Sequence, residues 1–92
     1  MPEFKEQKVR IEVLSSQCKF YQPGDRITID GPLIDFDRTD KVCVTALLAI
    51  YPFIFALRKG VTPEAMGFDG RVTVQCPDYC APVVFTVAPF AE

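Results

Sequence analysis

The chain has 92 residues, of which 49% are hydrophobic and 24% are charged, with a formal net charge of −2 and no histidine. This length and composition predict one domain over residues 1–92 with a single core, and they exclude a disordered or fibrous protein. Without histidine the chain cannot build a Ser-His-Asp or Cys-His nucleophile or a His-ligated catalytic zinc, and the slightly negative charge argues against a nucleic-acid partner.

The first half of the chain contains two predicted strands. Apolar and charged side chains alternate over Lys8–Leu14, which is typical of a half-buried strand. A turn at Pro23–Asp25 follows, and Arg26–Asp30 alternates again. The Gly31-Pro32 pair ends the second strand, and we expect little regular structure in the mainly polar return segment Leu33–Asp40.

One helix is predicted over Lys41–Lys59, where nearly every side chain between the two ends is apolar. Asp40 is a suitable N-cap, and Gly60 is suited to a left-handed stop after the cationic end of the helix. We expect Pro52 to kink or split the helix, because proline lacks an N–H donor and crowds the preceding turn.

The predicted helix is apolar on almost all of its sides, so it must be covered on almost all of them. Either a sheet wraps around it, or a second copy of the chain covers the remainder. We therefore expect a homodimer through part of the Tyr51–Phe55 face. The apolar run over 42–57 is shorter than the roughly 20 residues that a bilayer requires, so no membrane span is predicted.

Two further strands are predicted at Arg71–Cys76 and Val83–Ala88, joined by Pro77–Pro82. The element order is then ββαββ, which predicts an α+β fold: a small, mainly antiparallel four-stranded sheet or partial barrel packed on one central Pro-kinked helix. The predicted core is apolar and drawn from all five elements: Val9, Ile11, Val13, Ile27, Ile29, Leu47, Ile50, Ile54, Leu57, Val72, Val74, Val84 and Phe85.

The four cysteines fall at the ends of predicted elements. Cys18 follows the first strand and Cys43 opens the helix, while Cys76 closes the third strand and Cys80 lies in the next turn. If each element reverses the direction of the chain, all four thiols meet at one pole. Charged residues interrupt residues 1–13, where a secretory leader needs an apolar stretch, so we expect a cytoplasmic protein with reduced thiols.

Thiolates ligate structural zinc and iron–sulfur clusters, which makes the four cysteines candidate metal ligands. Only Cys76 and Cys80 are closely spaced, as CxxxC, whereas a zinc knuckle has paired CxxC motifs. Two alternatives stay open. The thiols could be buried or free side chains that serve as small apolar groups, or Cys76 and Cys80 could form a redox pair.

The chain resembles a family of small, functionally uncharacterised bacterial and archaeal domains that are common in anaerobes. The resemblance rests on five segments: Cys18–Asp25 (CKFYQPGD), Cys43–Leu47 (CVTAL), Ile50–Arg58 (IYPFIFALR), Cys76–Asp78 (CPD) and Pro82–Phe85 (PVVF). It implies that Cys18, Cys43 and Cys76 belong to the family pattern and that Cys80 occupies a position where members often carry another residue. A three-thiolate site is then the more general possibility.

The first functional hypothesis is a small non-catalytic cysteine-cluster domain that binds zinc or an iron–sulfur cluster as an accessory subunit. Its partners are then copies of itself or a larger protein complex, without nucleic acid or membrane. The alternative is a metal-free interaction or oligomerisation module that uses the helix as its interface. A thiol-based redox protein ranks third, because a nucleophilic cysteine would need activation by Lys41, Asp78 or the helix dipole alone.

Overall fold

The computed structural model describes residues 6–91; residues 1–5 and 92, which include part of the charged N-terminal stretch, lie outside this range. Its α+β class agrees with the prediction. Within the described range one α-helix lies between the third and fourth strands, and two short 3₁₀ turns complete the regular structure. The elements are β1 (Lys8–Ser16), β2 (Arg26–Asp30), β3 (Leu33–Ile34), a 3₁₀ turn (Phe36–Arg38), α1 (Val44–Arg58), a 3₁₀ turn (Glu64–Met66), β4 (Val72–Gln75) and β5 (Val83–Phe90).

The strands form one open antiparallel sheet in the order β3-β2-β1-β5-β4. The predicted count of four strands is therefore wrong by one, and the partial-barrel alternative is wrong because the sheet does not close. The additional strand is β3, in which Leu33 pairs with Asp30 and Ile34 pairs with Ile29. Two residues are too few to produce an alternating pattern, so the sequence contains no periodic signal for β3.

The long central strand β1 sets the register of the whole sheet. Ile11 lies opposite Ile27 of β2 on one side and opposite Val87 of β5 on the other, so these side chains share the inner face. The register with β5 shifts by one residue between Val13 and Ser15, which marks a β-bulge at the end of β1. The inner face of the sheet is therefore continuous up to this bulge.

The core lies between this inner face and α1, which packs against β1, β4 and β5. Ten of the predicted core residues are buried, and Leu47 and Val74 are partly buried against them. The prediction for Val84 is wrong, because β5 places Val83 and Phe85 on the inner face. Neighbouring residues of a strand point to opposite faces of the sheet, so a prediction that is off by one residue selects a side chain on the wrong face.

The helix α1 begins later than predicted and continues past its proline. Its N-cap is Cys43, because the carboxylate of Asp40 instead accepts a hydrogen bond from the backbone N–H of Arg26 at 2.8 Å. Pro52 does not divide the helix and lies on its exposed side, where a missing donor is tolerated. The predicted stop is correct: Gly60 has a φ of +89°.

The first described residues are attached to the end of α1. The backbone N–H of Gln7 donates to the carbonyl of Arg58 at 3.0 Å. The buried Arg58 guanidinium donates to the Glu6 carboxylate at 2.6 Å, and the Lys59 ammonium approaches the other carboxylate oxygen at 3.4 Å. The hydrogen bond from Arg58 lowers the pKa of Glu6 below its ordinary value, and Lys59 adds to this effect.

Candidate functional site

The exposed side of α1 carries a continuous apolar stripe, here called the outer face and defined by Val44, Leu48, Tyr51 and Phe55. Their exposed fractions are 66%, 69%, 46% and 47%, respectively. No charged residue occurs between Val44 and Leu57. A helix on the surface of a monomer normally turns polar and charged side chains to water, so this stripe departs from the usual pattern.

The outer face is exposed because the sheet covers only one side of an all-apolar helix. Ala46, Ile50, Ile54 and Leu57 recur at helical spacing and are buried against the strands. The outer-face residues fall on the opposite side of the same turns. Contiguous apolar patches of this kind on soluble domains usually mark interaction surfaces.

The aromatic end of the outer face is bordered by cations. The rings of Tyr51 and Phe55 are 6.3 Å apart, centroid to centroid. The Arg58 guanidinium lies 5.7 Å and the Lys59 ammonium 5.4 Å from the centroid of Phe55. These distances permit weak cation–π contacts, which leave an apolar surface with a polar rim.

Phe53 does not belong to the outer face, although the sequence placed it within the predicted Tyr51–Phe55 interface. Its ring packs edge-on against Phe68 at 5.8 Å, and its side chain is half-buried. The exposed apolar surface therefore omits Phe53 and begins further towards the helix N-terminus than the predicted face, at Val44. Within residues 6–91 no helix combines the length and apolar character needed to cross a membrane.

The second feature is the end of the molecule where α1 begins, here called the cysteine end. Tyr21 organises it: the hydroxyl accepts a hydrogen bond from the N–H of Cys43 at 2.9 Å and donates one to the carbonyl of Lys41 at 3.1 Å. The Tyr21 ring packs edge-on against Phe85 at 5.6 Å. Tyr21 thereby connects the segment after β1 to the start of the helix and to the core.

Burial raises the pKa of Tyr21 above its ordinary value; the hydrogen bond from the Cys43 backbone opposes this rise, and the charges of Asp25 and Cys18 add to it. Tyr21 therefore stays a neutral hydroxyl that can both donate and accept at physiological pH. A cavity of about 290 Å³ lies beside it, lined by Phe20, Tyr21, Lys41, Val42 and Cys43. The Lys41 ammonium is turned towards the Phe20 carbonyl, 2.9 Å away.

The four predicted ligands differ in their environments. Cys18 is half-buried, and its sulfur accepts the N–H of Phe20 at 3.4 Å. Cys43 is half-buried and makes no side-chain capping bond to the helix. Cys76 is only 8% exposed, and its sulfur accepts the N–H of Val83 at 3.3 Å. Cys80 is exposed, and all four thiols are free.

The predicted reversal of the elements brings these residues to the same end of the sheet. Val83 bonds to Cys76 and also lies opposite Ser16, two residues before Cys18. Cys18 and Cys43 pack against the core cluster to which Cys76 belongs. Nevertheless, no group of three or more Cys, His, Asp or Glu side chains in the described part of the chain is placed to hold a metal ion.

Comparisons with protein-family models, curated proteins and solved structures give no match for this chain. The resemblance to the small bacterial and archaeal family therefore stays a prediction. The outer face of α1 and the cysteine end are the two features of the molecule that bear on its function.

Two elements of these sites were missed by the sequence argument. The outer face could have been predicted from the spacing of its four residues. Intervals of four, three and four residues place side chains on the same side of a helix. No sequence signal identified Tyr21, because its role depends on where the helix begins relative to the loop after β1. A tyrosine two residues before a Pro-Gly turn is compatible with many other positions.

Proposed function

We propose that this protein is an interaction module that assembles with protein through the outer face of α1. The observation that supports the proposal is the charge-free stripe of exposed Val44, Leu48, Tyr51 and Phe55 over three turns of helix. The partner must offer an apolar surface, because a charged or strongly hydrated one would be desolvated without compensation. This proposal corresponds to the metal-free interaction module that the sequence offered as the alternative hypothesis.

The energetic reason is the burial of apolar surface. Completing the burial of a leucine or phenylalanine side chain stabilises a complex by on the order of 1 kcal/mol when half of that side chain is already covered. Four such side chains contribute several kcal/mol of favourable free energy, which is opposed by the entropy lost on association. The cations at the aromatic end remain at the rim and contribute to orientation more than to affinity.

The size of the assembly in an extract of the native source tests this function. We expect the tagged wild-type chain to migrate as an assembly larger than one chain. Leu48→Lys places a charge at the centre of the outer face and should shift the chain to the size of a monomer. Migration of the wild-type chain as a monomer in concentrated extract would overturn the proposal.

Leu33→Lys is the matched control, because Leu33 and Leu48 have the same exposed fraction of 69% and Leu33 lies on the far edge of the sheet. It should leave the size of the assembly unchanged. Equal loss of assembly in both variants would assign the effect to added charge and would also overturn the proposal.

A second candidate function is metal binding at the cysteine end, by zinc or an iron–sulfur cluster. Its support is that Cys18 and Cys76 follow the ends of β1 and β4 at one end of the sheet, and that the N–H of Cys43 bonds to Tyr21, three residues after Cys18. Cys80 lies in the adjacent β4–β5 connection and is the conditional fourth ligand. Thiolates at these positions are the ligand type that both metals use.

Metal analysis and an ultraviolet–visible spectrum of anaerobically purified protein test this candidate. If a metal is held, Cys76→Ser should abolish its retention, and Cys80→Ser should weaken retention while the fold is kept. Protein that is folded and free of zinc and iron after anaerobic purification would contradict the metal candidate and would leave the interaction module unaffected.

A further inference from the structure

We infer that the partner bound by the outer face is a second copy of this chain, and that the two α1 helices pair antiparallel about a twofold axis between Leu48 and Tyr51. This inference rests on the proposed function and names its partner. Four properties support it: the spacing of the outer-face residues, the sizes of their side chains, the direction of the helix dipole and the area of the face.

The spacing is symmetric. Val44, Leu48, Tyr51 and Phe55 are separated by four, three and four residues, which is the spacing at which the side chains of two helices interdigitate. The sequence of intervals is the same in both directions. An antiparallel copy therefore sets Val44 opposite Phe55 and Leu48 opposite Tyr51, and the second copy repeats both contacts, as an isologous interface requires.

The side-chain sizes fit the same arrangement. The two aliphatic residues occupy the N-terminal half of the stripe and the two aromatic residues the C-terminal half. Antiparallel pairing places each ring against an aliphatic side chain, so the separation between the helices stays even. A parallel pair would stack rings on rings at one end and Val44 on Val44 at the other, which opens a gap there.

The helix dipoles favour antiparallel copies. An antiparallel pair places the N-terminal end of each α1 beside the C-terminal end of the other, whereas a parallel pair would place like ends together.

The size of the face predicts a concentration-dependent dimer. The stripe from Val44 to Phe55 is about 16 Å long, at 1.5 Å per residue. Four half- to two-thirds-exposed side chains supply on the order of half of the 800 Å² per partner that a standard stable interface buries. We therefore expect dissociation on dilution rather than an obligate dimer.

Sedimentation equilibrium of purified variants tests the pairing. Leu48→Lys alone and Tyr51→Glu alone should each weaken self-association by about a hundredfold, because each leaves an unpaired charge in the interface. An equimolar mixture of the two variants should dimerise, since the new ammonium of one lies opposite the new carboxylate of the other. Leu33→Lys should associate like the wild-type chain.

The reversed pair, Leu48→Glu with Tyr51→Lys, repeats the test if one of the first variants does not fold. A mixture that stays monomeric while the wild-type chain dimerises overturns the antiparallel pairing. Wild-type protein that is monomeric at every concentration would overturn the inference that the partner is a second copy of this chain. In that case a large assembly in the native extract, lost in Leu48→Lys, would still support the proposed function.

Discussion

The hydroxyl of Tyr21 accepts a hydrogen bond from the backbone N–H of Cys43 at 2.9 Å, at the point where α1 begins. Because Cys43 makes no side-chain capping bond, the first turn of the helix lacks the usual hydroxyl or carboxylate cap. Tyr21 also donates to the Lys41 carbonyl, so one buried side chain fixes both sides of the helix start.

Tyr21→Phe should therefore lower the free energy of unfolding by about 1–3 kcal/mol, since it leaves two part-buried backbone groups without their partner. Urea denaturation at neutral pH measures the change. Tyr79→Phe is the control, because Tyr79 is 95% exposed and should change stability little. Equal stability of the two variants would contradict the role assigned to Tyr21.

A lower pH should remove the contribution of the Glu6 carboxylate to the stability of the fold. Its pKa in the folded chain is lowered from 4.5 by Arg58 and Lys59. A lowered folded-state pKa stabilises the fold above the unfolded-state pKa, and this contribution is lost as the pH falls through the folded-state pKa. The difference in unfolding free energy between wild type and Glu6→Gln should then be present at neutral pH and should decrease below pH 4.5.

Thermal unfolding at a series of pH values measures this difference. Glu12→Gln, on the exposed face of β1, serves as the control for loss of one carboxylate. A gap between wild type and Glu6→Gln that stays constant throughout the acid range would show that the ion pair does not contribute to folding.

The four thiols should differ in their rates of alkylation in the native protein. Cys80 is exposed and should react first, Cys18 and Cys43 should follow, and the buried Cys76 should react only on opening of the fold. Mass spectrometry of peptides after timed alkylation measures the order. Modification of Cys76 as fast as Cys80 would contradict the placement of Cys76 in the core.

The same experiment separates the two proposed functions. For the metal-free interaction module, a chelator should leave all four rates unchanged. A metal at the cysteine end would protect Cys18 and Cys43 until the chelator removes it, so an increase in their rates would favour the second candidate.

Much of the sheet could be predicted, because a strand with one buried face has apolar and polar side chains in alternation. The bounds of β2 are those expected, Arg26–Asp30, and the inner residues of β1 are correct. The start of α1 could not be predicted in the same way. Asp40 is a good N-cap by type, but the fold uses its carboxylate to bond Arg26 of β2, which is a tertiary contact without a local sequence signal.

The presence of an exposed apolar side on α1 could be predicted from the sequence, but the residues that form it could not. An all-apolar helix indicates that something beyond the sheet must cover it, which is why an interface was expected. Which side remains uncovered depends on how α1 lies over β1, β4 and β5. Phe53 packs against Phe68 of the connection between α1 and β4, while Val44 and Leu48 are left exposed.

Self-pairing requires that the outer face of α1 is covered in the assembled protein. The chain contains no tryptophan, so Tyr51→Trp introduces a single indole at the centre of that face. Its emission should shift to shorter wavelength over the concentration range in which the mass rises from monomer to dimer, while Tyr79→Trp should not change. Dimerisation without a shift at position 51, or no shift and no dimer at any concentration, would contradict self-pairing through this face.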